Sequence, residues 1–315
     1  MSTMTVAICA RRAEGIIGRC LESIQRQTCP PEEILVAVDD LSDPTADVAR
    51  SYGVRVIESR ARGLYEARNV VLNSCRTDYL GFVDADCIMT PKWVELAKTV
   101  LDSKPDVAGG TGRHPPTGER TFASWLHHMW FVVETRKTGE TDGVIGGNSF
   151  FRVSALRAVN GWLPLSGHSA AEDVYISLAL RKKGYKLWFE SDMQVEHHYE
   201  THLRGLWRKA VMMGKDIVVM MRAAGWREGL WWYTLLIPVM ALMLFLGFFL
   251  VFLSAFLGGV FIGFPLLLSL LFLTVKFGSF RTALPRWAAR WILIWPYSWG
   301  ILKGLFAPLP LKVRS

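Results

Sequence analysis

No G-x-G-x-x-G turn follows the first apolar strand of this 315-residue chain, and no Walker-type lysine appears, so a Rossmann dehydrogenase and a P-loop enzyme are both disfavoured. Cysteines are few: Cys9, Cys20, Cys29, Cys75 and Cys87 lie in the first half with no C-x-x-C spacing, and are expected to be reduced. Met1 to Arg12 holds only a short apolar run, Val6 to Ala10, too short for the apolar region of a secretory signal, so the first 230 residues are expected to stay in the cytosol. The longest absence is of charge. From Trp231 to Val275, 45 consecutive residues carry none. As one helix that run would be about 68 Å long, twice a hydrocarbon core, so a hairpin with spans at about 231–252 and 260–275 is expected, turning near Ser254, Gly258 and Gly259.

The net charge is +8, and its placement gives the hairpin an orientation. Arg204, Arg208, Lys209, Lys215, Arg222 and Arg227 precede the first span, and Lys276, Arg281, Arg286 and Arg290 follow the second. With no basic residue in the turn, both ends are expected on the cytoplasmic side of a cell membrane, which makes the protein multi-pass with a cytoplasmic catalytic domain. The expected division is 1–225 for that domain and 226–315 for the membrane part. Glu200 to Ala223 has basic, apolar and Met-rich faces and is expected at the lipid headgroups, with Arg204, Arg208 and Lys209 toward the lipid. The stretch 291–307, interrupted by Pro296 and Lys303, is expected to be interfacial or re-entrant; a full span would strand Lys312 and Arg314 outside.

Before residue 200, strands and helices alternate. Thr5–Ala10, Glu33–Val38, Val54–Glu58 and Tyr79–Val83 read as strands. Between them 16–27, 43–52 and 64–73 read as helices, the second with Asp43 as N-cap and Pro44 at its first position. That alternation indicates β-α-β units. The apolar run Tyr79–Val83 stops at Asp84-Ala85-Asp86, in the loop at the carboxyl end of a strand, where open α/β sheets bind ligands. Two carboxylates there suit Mg²⁺ or Mn²⁺, although an Asp-x-Asp arises by chance roughly once in 300 residues. A second pair, Glu172 and Asp173, opens the helix 174–183, where acidic residues ordinarily serve as caps.

Seven pieces in one order carry more than any alone: the apolar first strand, CLESIQRQTCPPEEI, VAVDDLSDPTADVA, RGLYEARN, the Asp-Ala-Asp, GGNSFFRVSALRAVNGW and AEDVYISLALRKKGY. From Thr5 to about Gly214 the chain resembles a family 2 glycosyltransferase of the GT-A fold. The first loop departs from the family, with Ala10-Arg11-Arg12-Ala13-Glu14 where a Pro-Thr-Tyr-Asn-like turn is usual. The resemblance implies an α/β, GT-A nucleotide-sugar-binding domain on a mostly parallel Rossmann-like sheet, followed by the transmembrane hairpin.

It also implies roles. Asp39 or Asp40, with Asp40 preferred because Asp39 could cap the turn, would bind the nucleobase or ribose; Arg62, Arg68 and Asn69 would face the diphosphate. Asp86 would ligate the metal directly, and Asp84 would reach the metal or ribose. His197, with His198 beside it, would add a metal contact. Asp173, next to Glu172, would be the general base of an inverting displacement. Gly146, Gly147 and Asn148 would approach the sugar, and Trp162 would stack on sugar or acceptor or pack in the core. The expected cofactor is Mg²⁺ or Mn²⁺, and the expected donor a nucleoside-diphosphate sugar. The expected acceptor is a hydroxyl of a lipid-linked (polyprenyl) molecule at the membrane; no nucleic acid partner is expected. Processive family members carry Gln-x-x-Arg-Trp where this chain has Trp207-Arg208, which implies non-processive transfer. The alternatives are a polyprenyl-phosphate sugar synthase, whose acceptor is the lipid phosphate, and a catalytically silent membrane-bound sugar-nucleotide-binding partner.

Overall fold

The computed structural model describes residues 2–131, 137–225, 230–250, 255–277 and 279–309. In chain order the elements are β1 (Met4–Ala10), α1 (Ile17–Gln25), β2 (Glu33–Val38), α2 (Pro44–Ser51), β3 (Arg55–Glu58), α3 (Leu64–Ser74), β4 (Tyr79–Val83) and β5 (Cys87–Met89). There follow α4 (Trp93–Ser103), β6 (Val107–Arg113), β7 (Pro116–Thr117), α5 (Phe122–Phe131), β8 (Gly139–Thr141), β9 (Asn148–Arg152) and α6 (Val153–Ala158). The chain continues with α7 (Glu172–Lys182), β10 (Lys186–His198), α8 (Leu203–Ala223), α9 (Leu230–Leu250), α10 (Ala255–Phe277) and α11 (Phe280–Phe306). The chain divides into two compact units, one of residues 1–118, 136–198 and 310–315, the other of 119–135 and 199–309.

The first unit holds the sheet, in the order β3-β2-β1-β4-β9-β6-β10-β5, with β7 and β8 also pairing with β10. It is mixed rather than mostly parallel. β3, β2, β1 and β4 run parallel, as their helical crossovers require, but β9 runs antiparallel between β4 and β6. β1 and β2 are buried on both faces, which is why Val6-Ala7-Ile8 and Leu35-Val36-Ala37-Val38 read as unbroken apolar runs. Helix α2 begins as its sequence dictates: Asp43 is extended, its Oδ1 accepts from Thr45 N–H at 2.9 Å, and Pro44 occupies the first turn. β5 lies within the 84–90 stretch expected to be loop.

The second unit is helical. α8 and α11 cross at backbone contact: a Cβ on Gly214 would lie 2.1 Å from Tyr297 O, and one on Gly300 2.1 Å from Val211 O. Leu206 and Ala210 of α8 pack with Ala289 and Leu293 of α11 and Leu126 of α5. Arg222 donates from Nη1 to the carbonyls of Gly304 and Ala307 at 2.7 Å, capping the end of α11 with a cation where the helix dipole favours one. That guanidinium, counted above toward membrane orientation, is committed inside the unit, and Arg286 is buried. α11 passes through Pro296, expected to interrupt it, and ends ahead of Pro308.

The expected transmembrane hairpin is not supported. Its two stretches coincide with α9 and α10, but among the described residues no helix is long and apolar enough to cross a membrane. A charge-free run is a statement about composition, whereas a crossing needs about 20 consecutive apolar residues in one helix. The 45-residue run is divided between two helices, as expected, but each has a proline inside it, Pro238 in one and Pro265 in the other, which removes a hydrogen bond from the helix interior. Arg227, Ser254, the end of the first expected span, Lys312 and Arg314 lie outside the described residues.

Candidate active site

The site is built around the carboxyl end of β4. Pairing of β4 with β9 sets Val83 opposite Asn148, so the residues just beyond them, Asp84 and Gly147, come into contact. A Cβ on Gly147 would lie 2.3 Å from Asp84 Oδ2. The turn after Asp84 is closed by its carbonyl, which accepts from Cys87 N–H at 3.0 Å and from the Cys20 thiol at 3.4 Å. β5 then pairs antiparallel with β10, with Cys87 opposite His197. That register brings His197 Nε2 to 3.5 Å from Asp86 Oδ2.

Asp86, Cys87 and His197 have donor atoms within 4.8 Å of one another and could hold a metal ion. Burial pushes the Cys87 thiol well up, and its Sγ donates to Asp86 Oδ1 at 3.7 Å, so it supports the carboxylate as a thiol. A carboxylate oxygen and an imidazole nitrogen remain, a pair that fits Mn²⁺ better than the all-oxygen preference of Mg²⁺. Asp84 is not part of this group. His114, which no sequence signal marks, is buried with its ring 5.7 Å from that of His197; burial, reinforced by His197, pushes it down to about 3, so it stays neutral.

The second acidic pair converges on the same glycines. A Cβ on Gly146 would lie 2.4 Å from Glu172 Oε1 and 2.9 Å from Arg68 Nη2. The room these glycines leave is thus occupied by the chain's own side chains. Glu172 is buried and forms an ion pair with Arg68, Nη2 to Oε1 3.3 Å. Asp173 is half-buried; its Oδ1 accepts from Val174 N–H at 2.8 Å and its Oδ2 from Gly146 N–H at 3.4 Å. Burial raises both carboxyls, and Arg68 pulls both the other way without cancelling the rise. Ala171, the residue before them, has a left-handed backbone (φ 64°), a conformation that costs a non-glycine residue about 1–2 kcal/mol and turns the chain sharply into α7.

At the end of β2 the two aspartates differ from expectation in position. Asp40 is exposed and caps the turn, its Oδ1 accepting from Ser42 N–H at 2.8 Å, which holds its carboxyl below the usual range. Asp39 is partly buried and lies 3.4 Å from Arg11 Nε; burial raises its carboxyl and Arg11 opposes. Arg62 is exposed, with its N–H capped by Glu66 at 2.9 Å. Asn69 is tied to the backbone of Trp162 in both directions, at 2.7 and 2.9 Å. Trp162 itself is 2% exposed and packs edge-on against Phe82 and Phe151. Asn148 is fully buried, accepting from Trp93 Nε1–H at 2.7 Å and donating to Arg113 O at 3.0 Å. Asn69, Asn148 and Trp162 therefore shape the floor of the site from inside the core. A cavity of about 400 Å³ lined by Arg76, Asp78, Tyr79 and Arg152 lies at the opposite end of β4 and takes no part in the site.

The first unit is a mixed α/β sheet of the GT-A type, with acidic side chains gathered at the carboxyl end of its parallel strands. Residues 5–159 match the family model described as glycosyl transferase family 2. Curated relatives include Glycosyltransferase GlyA of Streptococcus pneumoniae, 31% identical over 113 residues (34% of this chain, 16% of that protein). The uncharacterized glycosyltransferase EpsJ of Bacillus subtilis is 29% identical over 115 residues, 35% of this chain and 33% of the relative. The chain thus spans a third or less of the length of these relatives. Among solved structures, mannosyltransferase PcManGT from Pyrobaculum calidifontis, in complex with GDP-Man and Mn²⁺, aligns over 97% of this chain and 87% of its own, with a TM-score of 0.63 at 16% identity. GalNAc-T7 with UDP, GalNAc and Mn²⁺ aligns over 71% of this chain and 48% of its own, with a TM-score of 0.54 at 16% identity. At such identities the likeness concerns the fold.

Proposed function

We propose that this chain transfers a sugar from a nucleoside-diphosphate sugar to a hydroxyl of a lipid-linked acceptor, inverting the anomeric centre and adding one sugar per encounter. The observation that carries this reading is the convergence of Asp84 and Glu172-Asp173 on the adjacent glycines Gly147 and Gly146, in a family 2 glycosyltransferase domain. Asp173, raised by burial, is a stronger base than an ordinary aspartate. It takes the acceptor hydroxyl proton as the new O–C1 bond forms; the C1–O bond to the diphosphate breaks, and the nucleoside diphosphate leaves with that electron pair. Asp86 and His197 would hold Mn²⁺, the ion bound with a nucleotide ligand in PcManGT and GalNAc-T7; Asp84 would serve that ion or the ribose. When bound, such an ion supplies Lewis-acid neutralisation of the diphosphate. Asp39, the more inward of its pair, is the residue for the nucleobase or ribose, and Arg62 offers an exposed cation for the diphosphate.

The lipid-linked acceptor is supported by the second unit. Exposed Leu203, Trp207 and Met212 share α8 with Arg204, Arg208 and Lys209, a mixture suited to a headgroup surface. Large apolar side chains such as Leu267, Val275 and Phe306 are exposed on α10 and α11. The proposed location is therefore a membrane surface.

The test is a thermal-shift screen of UDP, GDP and their sugar conjugates with and without Mn²⁺, followed by turnover of Asp86→Ala and Asp173→Asn. Stabilisation by a nucleoside diphosphate that requires Mn²⁺ and vanishes in Asp86→Ala is expected. Absence of stabilisation by every member of the panel would sink the reading. Full turnover in Asp173→Asn would favour an acceptor that is already anionic, a lipid phosphate.

A further inference from the structure

Resting on the reading of Asp173 as the base, we propose that the buried Arg68–Glu172 pair is a positioning device for Asp173, holding that carboxylate ionised and in place, and is not a contact to the donor. Arg68 is expected from the chain's resemblance to meet the diphosphate, yet its side chain is 2% exposed and that of Glu172 7%. The guanidinium lies against aromatic neighbours, with Cζ 4.9 Å from the Phe82 ring centroid and 5.8 Å from that of Trp162. Nη2 reaches Glu172, and among the described residues Nε and Nη1 have no hydrogen-bond partner. Gly146 ties the arrangement together. Its missing side chain admits Glu172 Oε1 and Arg68 Nη2, and its N–H donates to Asp173 Oδ2.

An arginine in such a place cannot shed its proton, so the site contains one permanent positive charge. The groups acting on it are Glu172 and Asp173 from α7, Asp84 after β4, and the Cys9 thiol from β1. A single partial bond to Glu172 leaves much of that field for Asp173, which burial otherwise pushes toward its protonated form. The pair also accounts for the glycine at 146. Any side chain there would separate Glu172 from Arg68 and disturb the N–H that holds Asp173.

Arg68→Met, Glu172→Gln and their combination test this by two readouts. In urea unfolding, each single change should destabilise, because each strands a buried polar partner, while the double variant should lose less than the two together; strictly additive losses would overturn the pair. In the second readout, nucleoside diphosphate release from a panel of UDP- and GDP-sugars with Mn²⁺ is followed against pH. Arg68→Met should move the acidic limb of kcat/KM upward by about one pH unit or more with donor KM changed less than about twofold, and Arg68→Lys should restore most of the limb. An unmoved limb with a raised donor KM would assign Arg68 to the donor and refute the proposal alone. Full turnover in Asp173→Asn would instead remove the base reading on which it rests.

Discussion

Replacing Gly147 by alanine would drive a methyl group into the carboxylate of Asp84. The added carbon would lie 2.3 Å from Oδ2 and 2.6 Å from Cγ, where ordinary contact begins at 3.4 Å. Asp84 must rotate away, or β9 must lift from β4 at the Val83–Asn148 pair, and either movement spoils packing around a fully buried asparagine. Overpacking of this kind costs about 1–3 kcal/mol. A displacement of about 1 Å at a site that orients substrate lowers turnover by on the order of 100-fold. Gly143→Ala, four residues earlier in the same segment, is the internal control, since the nearest atom to its new Cβ is Ser177 Oγ at 3.5 Å and the change should stay within about 0.5 kcal/mol. Urea midpoints and nucleoside diphosphate release would be measured for both. If Gly147→Ala behaved like Gly143→Ala in stability and turnover, the contact between this glycine and Asp84 would not be what shapes the site.

Asp43→Ala should cost about 1–2 kcal/mol in urea unfolding, because Asp43 caps α2 and its Oδ2 also accepts from Arg12 N–H at 2.8 Å; an unchanged midpoint would contradict that double role. Asp39→Asn should weaken the stabilisation given by nucleoside diphosphate and Mn²⁺, whereas Asp40→Asn should leave it nearly intact; the reverse order would return the nucleoside contact to Asp40. Glu172 has its carboxyl raised on folding, so the native state holds the proton more tightly. Its contribution to stability is then complete below a glutamate's ordinary value near 4.5 and is lost as pH rises through the folded value. Stability of the parent should accordingly fall over that window, and Glu172→Gln should flatten the fall when unfolding is followed from pH 4.5 upward.

Where a signal was local, the structure repeats it. β2 and β4 occupy the ranges their apolar runs mark, and Asp43-Pro44 starts α2 because capping needs only neighbouring residues. Asp84, Asp86 and the Glu172-Asp173 pair were visible as acidic residues at element ends for the same reason. Other features carry no local mark. β5 is three residues long and exists because β10 pairs with it; that pairing, rather than any spacing, puts His197 beside Asp86. Pro296 reads as a breaker, yet α11 runs through it and through Pro285, packed closely on α8 at Gly214 and Gly300. The absence of charge over 231–275 reads as two membrane spans, and two helices do form there, but among the described residues none is long and apolar enough to cross a membrane.

The sequence by itself determined the order of β-α-β units, the family resemblance and the acidic residues available for chemistry, since each rests on neighbours along the chain. Only the tertiary structure decided which of those residues meet. The antiparallel register of β9 on β4 sets Asp84 against Gly147, the placement of α7 sets Glu172 against Gly146, and Arg68, Asn69, Asn148 and Trp162 turn inward, into the floor that supports the carboxylates. Register and burial depend on partners distant in the chain, and so have no counterpart in local pattern.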